Sequence, residues 1–203
     1  MDNSCDFCDR TKFEERIVVE KEESFVIASL GQITNSGYLL LIPKRHISCI
    51  GNMNEAEMER FIPIIEEVWL AIKDIYKISP ITLFEHGIVG QTIKHAHLHF
   101  VPAICNITKG VKKDFLKNEI QQIFSWQELR GLYQERKEPY LFWLGSDAKM
   151  NVCFNPNAPL QYLRTIVAEE IGRPERANWR NMNTELDKKL TKETINKLKP
   201  LFY

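Results

Sequence analysis

GQTIKHAHLHFVP, residues 90–102, is the stretch on which the reading of this chain turns. It sets His95, His97 and His99 two positions apart, with Ala96 and Leu98 between them. In a β-strand neighbouring side chains point to opposite faces, so this spacing directs three imidazoles one way and Ala96, Leu98 and Phe100 the other. One face is chemical and the other is core. Histidine gains little from a strand position and adjacent rings repel when charged, so the pattern makes sense where a ligand or a metal uses it. The competing explanation is an edge strand whose rings merely meet solvent.

Upstream, IVVEKE from Ile17, SFVIASL from Ser24 and YLLLIP from Tyr38 read as short strands separated by the Gly, Asn and Ser positions that turns prefer. Across residues 54–77, Met58, Phe61, Ile62, Ile65, Val68, Ile72 and Ile75 recur at helical spacing and predict one long amphipathic helix. Pro63 falls inside it, so a kink or a start one turn later is expected. ITLFEH from Ile81, the loop GIVGQT and then HAHLHFVP predict two strands around a glycine-bearing connection, with the histidines on the second. Beyond residue 110, DFLKNEIQQIF reads as helix, PYLFWLG and MNVCFN as a hairpin turned by SDAK, and PLQYLRTIVAEEIG as an amphipathic helix ending near Gly172. The polar last stretch of about twenty residues predicts a peripheral helix.

The 203 residues suffice for one sizeable core. An apolar fraction of 44% and a charged fraction of 27% suit a soluble globular protein, and no apolar run is long enough to span a bilayer. MDNSCDFCDRTKFEER, at the start, is charged and lacks a secretory apolar core, so a cytoplasmic chain without membrane contact is expected. Lys plus Arg balance Asp plus Glu at 27 each, so no basic field invites strong polynucleotide binding. The clusters Lys109, Lys112, Lys113 and Lys117, and Arg173, Arg176 and Arg180, read as solvated faces. Of five cysteines, Cys49, Cys105 and Cys153 stand alone as ordinary thiols, whereas Cys5 and Cys8 form a CxxC. That motif is a redox pair or half of a metal site, and the redox reading wants a strand followed by a helix start, which is missing here. Two histidines would complete a tetrahedral site, with His46, His86, His95, His97 and His99 available.

Segment 90–102, in which Gly, Gln and Thr precede the alternating histidines, resembles the signature of the histidine triad (HIT) family. GYLLLIPKRH, residues 37–46, is similar to that family's preceding strand and its Pro-Lys-x-His turn. These motifs and the CxxC occur in the family's order and cover about the first half of the chain. FEHG at 84–87, LQYLRTIVAEEIG, and NWR at 178–180 look like a branch with a C-terminal extension. The resemblance implies an α+β fold: an antiparallel sheet of about five strands with a long helix packed on it. A histidine triad domain over residues 1–108 would be followed by a helical and hairpin extension, 109–203, packed on the same core.

The same resemblance implies a nucleotide-binding hydrolase that cleaves an α-phosphate bond of a dinucleoside polyphosphate or nucleoside phosphoramidate. His97 would be the nucleophile, transiently nucleotidylated, and His99 would contact the phosphate or leaving group. Chemistry agrees: a neutral imidazole is a good nucleophile near pH 7, and a backbone carbonyl can fix one ring nitrogen as N–H and free the other lone pair. Gly90, Gln91 and Thr92 would bind phosphate, the glycine by close backbone approach and the others as neutral donors. Phe7 would lie near the base. Some relatives hold a structural Zn2+ with the CxxC, the Pro-Lys-x-His histidine and the first triad histidine, here Cys5, Cys8, His46 and His95. Such a cation would also disfavour protonation of His97. A homodimer is the family default.

One departure bears on substrate. Counting back from Pro43, the family's ribose-binding Asp or Asn falls on Leu30, which accepts no hydrogen bond, so Ser29, Gln32 or another group would have to take the ribose. Glu85 and His86 fall near a family phosphate or leaving-group contact. Two other functions share these motifs: a nucleotidyltransferase or phosphorylase with the same covalent step, disfavoured because that branch carries Gln at the position of His99, and a zinc-stabilised module that binds nucleotides or RNA ends with little turnover. The extension reads as packing on the core rather than touching substrate.

Overall fold

The computed structural model describes residues 5–202. Strands β1 (Ile17–Glu20), β2 (Ser24–Ala28) and β3 (Leu39–Pro43) form the expected antiparallel meander. Strands β4 (Thr82–Gly87) and β5 (Leu98–Val101) follow, and β5 lies between β3 and β4, with His99 opposite Leu40 on one side and Phe84 on the other. Side-chain alternation then sorts the core. Leu39, Leu41, Leu98 and Phe100 join the cluster beneath the long helix, while Leu40, Ile42 and Phe84 join a second cluster on the opposite face. Both faces of the central strands are therefore covered.

Helix α1 (Glu55–Tyr76) starts without delay. Asn54 accepts from the Glu57 amide while the Glu57 carboxylate accepts from the Asn54 amide, a reciprocal cap that outweighs the proline further in. Pro63 stays inside the helix because it and Glu59, whose carbonyl loses its partner, both lie on the exposed side.

The sheet is larger than the five strands expected. Strands β6 (Ile120–Ile123), β7 (Tyr140–Leu144) and β8 (Met150–Phe154) extend it to eight, in the order β1-β2-β3-β5-β4-β7-β8-β6. The physical reason is the free edge that β4 would otherwise present: β7 pairs along it from Gly87 opposite Tyr140 to Leu83 opposite Leu144. DFLKNEIQQIF is accordingly not a helix. Its end is β6, paired to β8 with Ile120 opposite Cys153, so cross-strand pairing overrides the helical spacing of its apolar residues. Helices α2 (Ile107–Asp114) and α3 (Trp126–Arg136) flank it, and α3 carries a readable start in Ser125, which accepts from the Glu128 amide.

Helix α4 (Tyr162–Glu170) ends before Gly172, as its pattern predicts, and α5 (Thr184–Leu198) fills the polar C-terminal stretch. It is less peripheral than its composition suggests. Leu190, Thr194 and Leu198 are buried, and Asp187 accepts from the amides of Gly31 and Gln32 at 3.0 Å each. The 108/109 division falls within α2, and the sheet runs on past it. Among the described residues, no helix is long and apolar enough to cross a membrane.

Candidate functional site

Of the three histidines only His99 lies within β5; His95 and His97 sit just ahead of it. The alternation still holds. Ala96, held by its amide on the Ile47 carbonyl (2.7 Å), packs under α1 with Leu98 and Phe100, and the rings of His97 and His99 stand 4.8 Å apart on the other face.

His97 donates its Nδ1–H to the carbonyl of His95 at 2.6 Å, and no hydrogen bond occupies its Nε2 among the described residues. Burial pulls its pKa down to about 4, the carbonyl bond opposing and the His95 ring adding to the fall, so the ring is neutral near pH 7. That is the tautomer and charge state a ring nucleophile needs. The Phe7 ring meets His97 edge-on at 5.2 Å.

His99 stacks on Phe84 at 4.2 Å, and its Nδ1 lies 2.6 Å from the Tyr38 hydroxyl. Burial, aided by His97, His86 and Arg164, holds it well below the usual imidazole value. With Tyr38 donating, the ring proton belongs on Nε2, which is buried and has no protein partner among the described residues. His86, drawn to about 3 by burial, accepts at Nε2 from the Leu163 amide at 3.0 Å, at the start of α4.

These rings form the floor of a cleft of about 200 Å³. Gly90 and Thr92 line it from the loop, Phe7, Ser29 and Leu30 from the walls, and Gln161, Arg164 and Trp179 from the C-terminal segment. Gly90 adopts φ +78°, where a side chain would meet His86 at 2.9 Å and the Pro159 carbonyl at 3.1 Å. Its carbonyl accepts from the Gln161 amide at 2.8 Å. Loop and extension are thus clasped around one cleft, and the extension does more than pack on the core.

Beside the cleft, the ligand atoms of Cys5, Cys8, His46 and His95 all lie within 4.8 Å of one another. The Cys8 sulfur is 3.2 Å from His46 Nδ1 and 3.6 Å from His95 Nδ1, and the Cys5 sulfur is 3.5 Å from His95 Nδ1. A tetrahedral ion with typical metal–sulfur and metal–nitrogen lengths requires sulfur–nitrogen edges of about 3.5 Å. The set fits. His95 donates its Nε2–H to the Pro43 carbonyl at 2.8 Å, which aims the Nδ1 lone pair at the sulfurs, and burial holds the ring neutral with a pKa near 4.

Other expected residues fall elsewhere. Gln91 is turned away from the cleft and donates to the Ser48 carbonyl at 2.8 Å, so it braces the loop instead of lining it. Glu85, between Phe84 and His86 on β4, points to the opposite face and is fully buried, accepting from the Ile50 amide and the Tyr140 hydroxyl. Gln32 is consumed by Ser29, Tyr38 and Thr194. Cys49, Cys105 and Cys153 are buried thiols pushed up to about 12, 11 and 11 by burial. Arg176 departs from the solvated-face reading, reaching the Thr34 carbonyl at 3.1 Å. Sequence reasoning missed Arg16, Gln161, Arg164 and Trp179. The one signal was Arg164 itself, a charge set in the apolar run of LQYLRTIVAEEIG.

Residues 10–104 match the family model of the HIT domain. An uncharacterised HIT-like protein of Mycoplasma genitalium is 29% identical over 103 residues, 49% of this chain and 73% of its own. Among solved structures, a HIT family hydrolase from Clostridium thermocellum is 25% identical with a TM-score of 0.41, covering 51% of this chain and 94% of that one. A hypothetical histidine triad nucleotide-binding protein from Sulfolobus tokodaii strain7 is 22% identical with a TM-score of 0.44, covering 64% and 90%. A DUF4931 family protein from Bacillus cereus ATCC 10987 is 14% identical with a TM-score of 0.47, covering 92% and 99%.

Proposed function

Residues 10–104 match the HIT domain, and on that premise we propose that the chain is a histidine triad protein that binds a nucleotide in this cleft and hydrolyses a bond at the α-phosphorus. The observation that carries the reading is His97, its proton locked on the His95 carbonyl and its Nε2 left in the cleft without a protein partner among the described residues. The Nε2 lone pair forms the N–P bond as the leaving group departs with the electron pair of the broken bond. Water then attacks the same phosphorus, the N–P bond breaks, and His97 is regenerated. His99 offers its unpartnered Nε2–H to a phosphoryl or leaving-group oxygen, fixed by Tyr38 on one ring nitrogen and Phe84 beneath. Thr92 and Gly90 line the same cleft.

Cys5, Cys8, His46 and His95 would hold a structural Zn2+, whose four protein ligands leave no open position for substrate and whose binding would tie the N-terminal segment to the histidine run. The reading includes a cytoplasmic setting, where the cysteines stay reduced, and a homodimer. Dinucleoside polyphosphates and nucleoside phosphoramidates of adenine and guanine, assayed with and without inorganic phosphate, test it. Release of mononucleotide with water as acceptor is expected; transfer to phosphate would favour a phosphorylase, and no release above a His97→Asn background would refute catalysis.

A further inference from the structure

Two arginines reach the cleft without a carboxylate partner. Arg164, on α4, is 3% exposed, and its guanidinium donates to backbone carbonyls, Nε to Ala177 at 2.7 Å, Nη2 to Gly31 and to Arg176 at 3.0 Å, and Nη1 to Leu30 at a long 3.5 Å, and also meets the Tyr38 hydroxyl. Arg16 is half-buried and donates from Nη1 to the Ala28 carbonyl at 2.9 Å. Neither takes part in a salt bridge among the described residues. Asp6 and Asp187 are the acids whose charges Arg16 feels, and Asp187 is already engaged by the amides of Gly31 and Gln32. Burial lowers Arg16 to about 10, which leaves it fully charged near neutral pH.

A guanidinium has five N–H donors, and carbonyl dipoles satisfy them without cancelling the net charge. Were Arg164 a clamp for residues 30–31 and 176–177 and nothing more, its cost would lie in an uncompensated cation at the cleft wall. Its field reaches the floor, where it helps keep His86 and His99 uncharged. The Nη1 donors are the least satisfied, and the Tyr38 ring lies under the guanidinium at 5.2 Å. Beside it Leu30, 38% exposed, offers nothing to a hydroxyl. Among the described residues lining the cleft, Lys12, Arg16 and Arg164 outnumber the one carboxylate, Asp6, so on charge this wall suits an anion.

We propose that Arg164, with Arg16, forms a second anion subsite of the cleft, so that the preferred ligand is a nucleotide bearing a phosphate group besides the one attacked by His97. The proposal rests on the nucleotide reading above. The second phosphate is carried by the ribose or follows the first along the chain, and the two sources are separable. Titration calorimetry on the full chain carrying His97→Asn, which suppresses turnover, would compare adenosine 5′-monophosphate with adenosine 5′-diphosphate and with the 2′,5′- and 3′,5′-bisphosphates. At least about tenfold tighter binding of one doubly phosphorylated ligand is expected, the scale of one charge-assisted contact. The arm that gains identifies the source, and Arg164→Gln should abolish the gain while monophosphate binding persists. Arg16→Gln, which gives up one carbonyl contact, should reduce the gain at least about threefold and serves if Arg164→Gln does not fold. If the monophosphate binds but no second phosphate tightens binding, or the gain survives in the folded arginine variants, the subsite is overturned. If the monophosphate itself does not bind, the nucleotide reading falls and the subsite with it.

Discussion

Two threonines on one face of α5 allow the bracing role of the extension to be tested by a pair of identical substitutions with different outcomes. Thr194 is fully buried, and its Oγ1 accepts from the Gly37 amide at 2.8 Å while lying within donating reach of Gln32 Oε1 and the Leu190 carbonyl. In Thr194→Val the shape is kept. Gln32 Oε1 retains the Tyr38 amide, so the group that loses its partner is the Gly37 N–H. Gly37 cannot easily move to find another: at φ +89° it packs so tightly on Tyr76 that even a Cβ would lie 2.5 Å from that ring. An orphaned buried amide costs about 1–3 kcal/mol. For a chain of this size each kcal/mol lowers the melting temperature by about 2–4 °C, so a drop of about 4–8 °C is expected for a 2 kcal/mol loss. Thr191 is the control. Its Oγ1 is buried and has no partner among the described residues, so Thr191→Val removes an unsatisfied hydroxyl and should leave stability unchanged or raise it. Thermal melts of both variants decide the matter, and equal destabilisation by the two would refute this account of how α5 holds residues 29–38.

If Cys5, Cys8, His46 and His95 hold a metal as proposed, purified protein should carry close to one metal ion per chain, and Cys8→Ser should lower both metal content and stability, by several kcal/mol or roughly 10 °C; folded protein with wild-type stability and no metal would contradict it. A strong chelator should act in the same direction. Burial raises the Glu85 carboxyl to about 7, against the opposing bonds from Tyr140 and Ile50. Between its unfolded value and about pH 7 the folded state therefore holds the extra proton, and this group's contribution to stability falls as pH rises through that window. Glu85→Gln, which never ionises, should gain melting temperature relative to wild type from about pH 5 to about pH 8, and a flat difference curve would rule out a buried carboxyl of that kind.

Local pattern carried the reading furthest where one residue's neighbours in sequence are also its neighbours in space. The capped α1, the three-strand meander and the two-residue spacing of the histidines are of this sort, whereas the choice of His46 and His95 as partners of the CxxC, far apart in sequence, came from the family resemblance. Reasoning by period failed at residues 114–124, because whether Ile120 and Ile123 serve a helix or an edge strand depends on β8, thirty residues on in the chain. Gln91 and Thr92 show a finer limit. The motif names both, but only backbone torsion determines which faces the cleft, and it sends Gln91 to Ser48. The contribution of Gln161, Arg164 and Trp179 was hidden for a related reason: they are brought to the cleft by Gly90 accepting from the Gln161 amide and by the close approach of Trp179 to Gly31, contacts between distant segments that leave no periodic trace.

In the proposed reaction His97 Nε2 forms a bond to phosphorus, and the mass of the peptide containing His97 after rapid quenching during turnover, under conditions that preserve acid-labile N–P bonds, reads that bond out. Wild-type protein should carry one nucleotide monophosphate adduct on that peptide, located on His97 by fragmentation. In His97→Asn the adduct should vanish and turnover should fall by at least about three orders of magnitude, the scale on which a covalent nucleophile is lost while positioning and electrostatics remain. Nucleotide binding should persist, since Thr92, His99 and the extension are untouched. An adduct on another residue, or wild-type turnover in His97→Asn, would contradict the account.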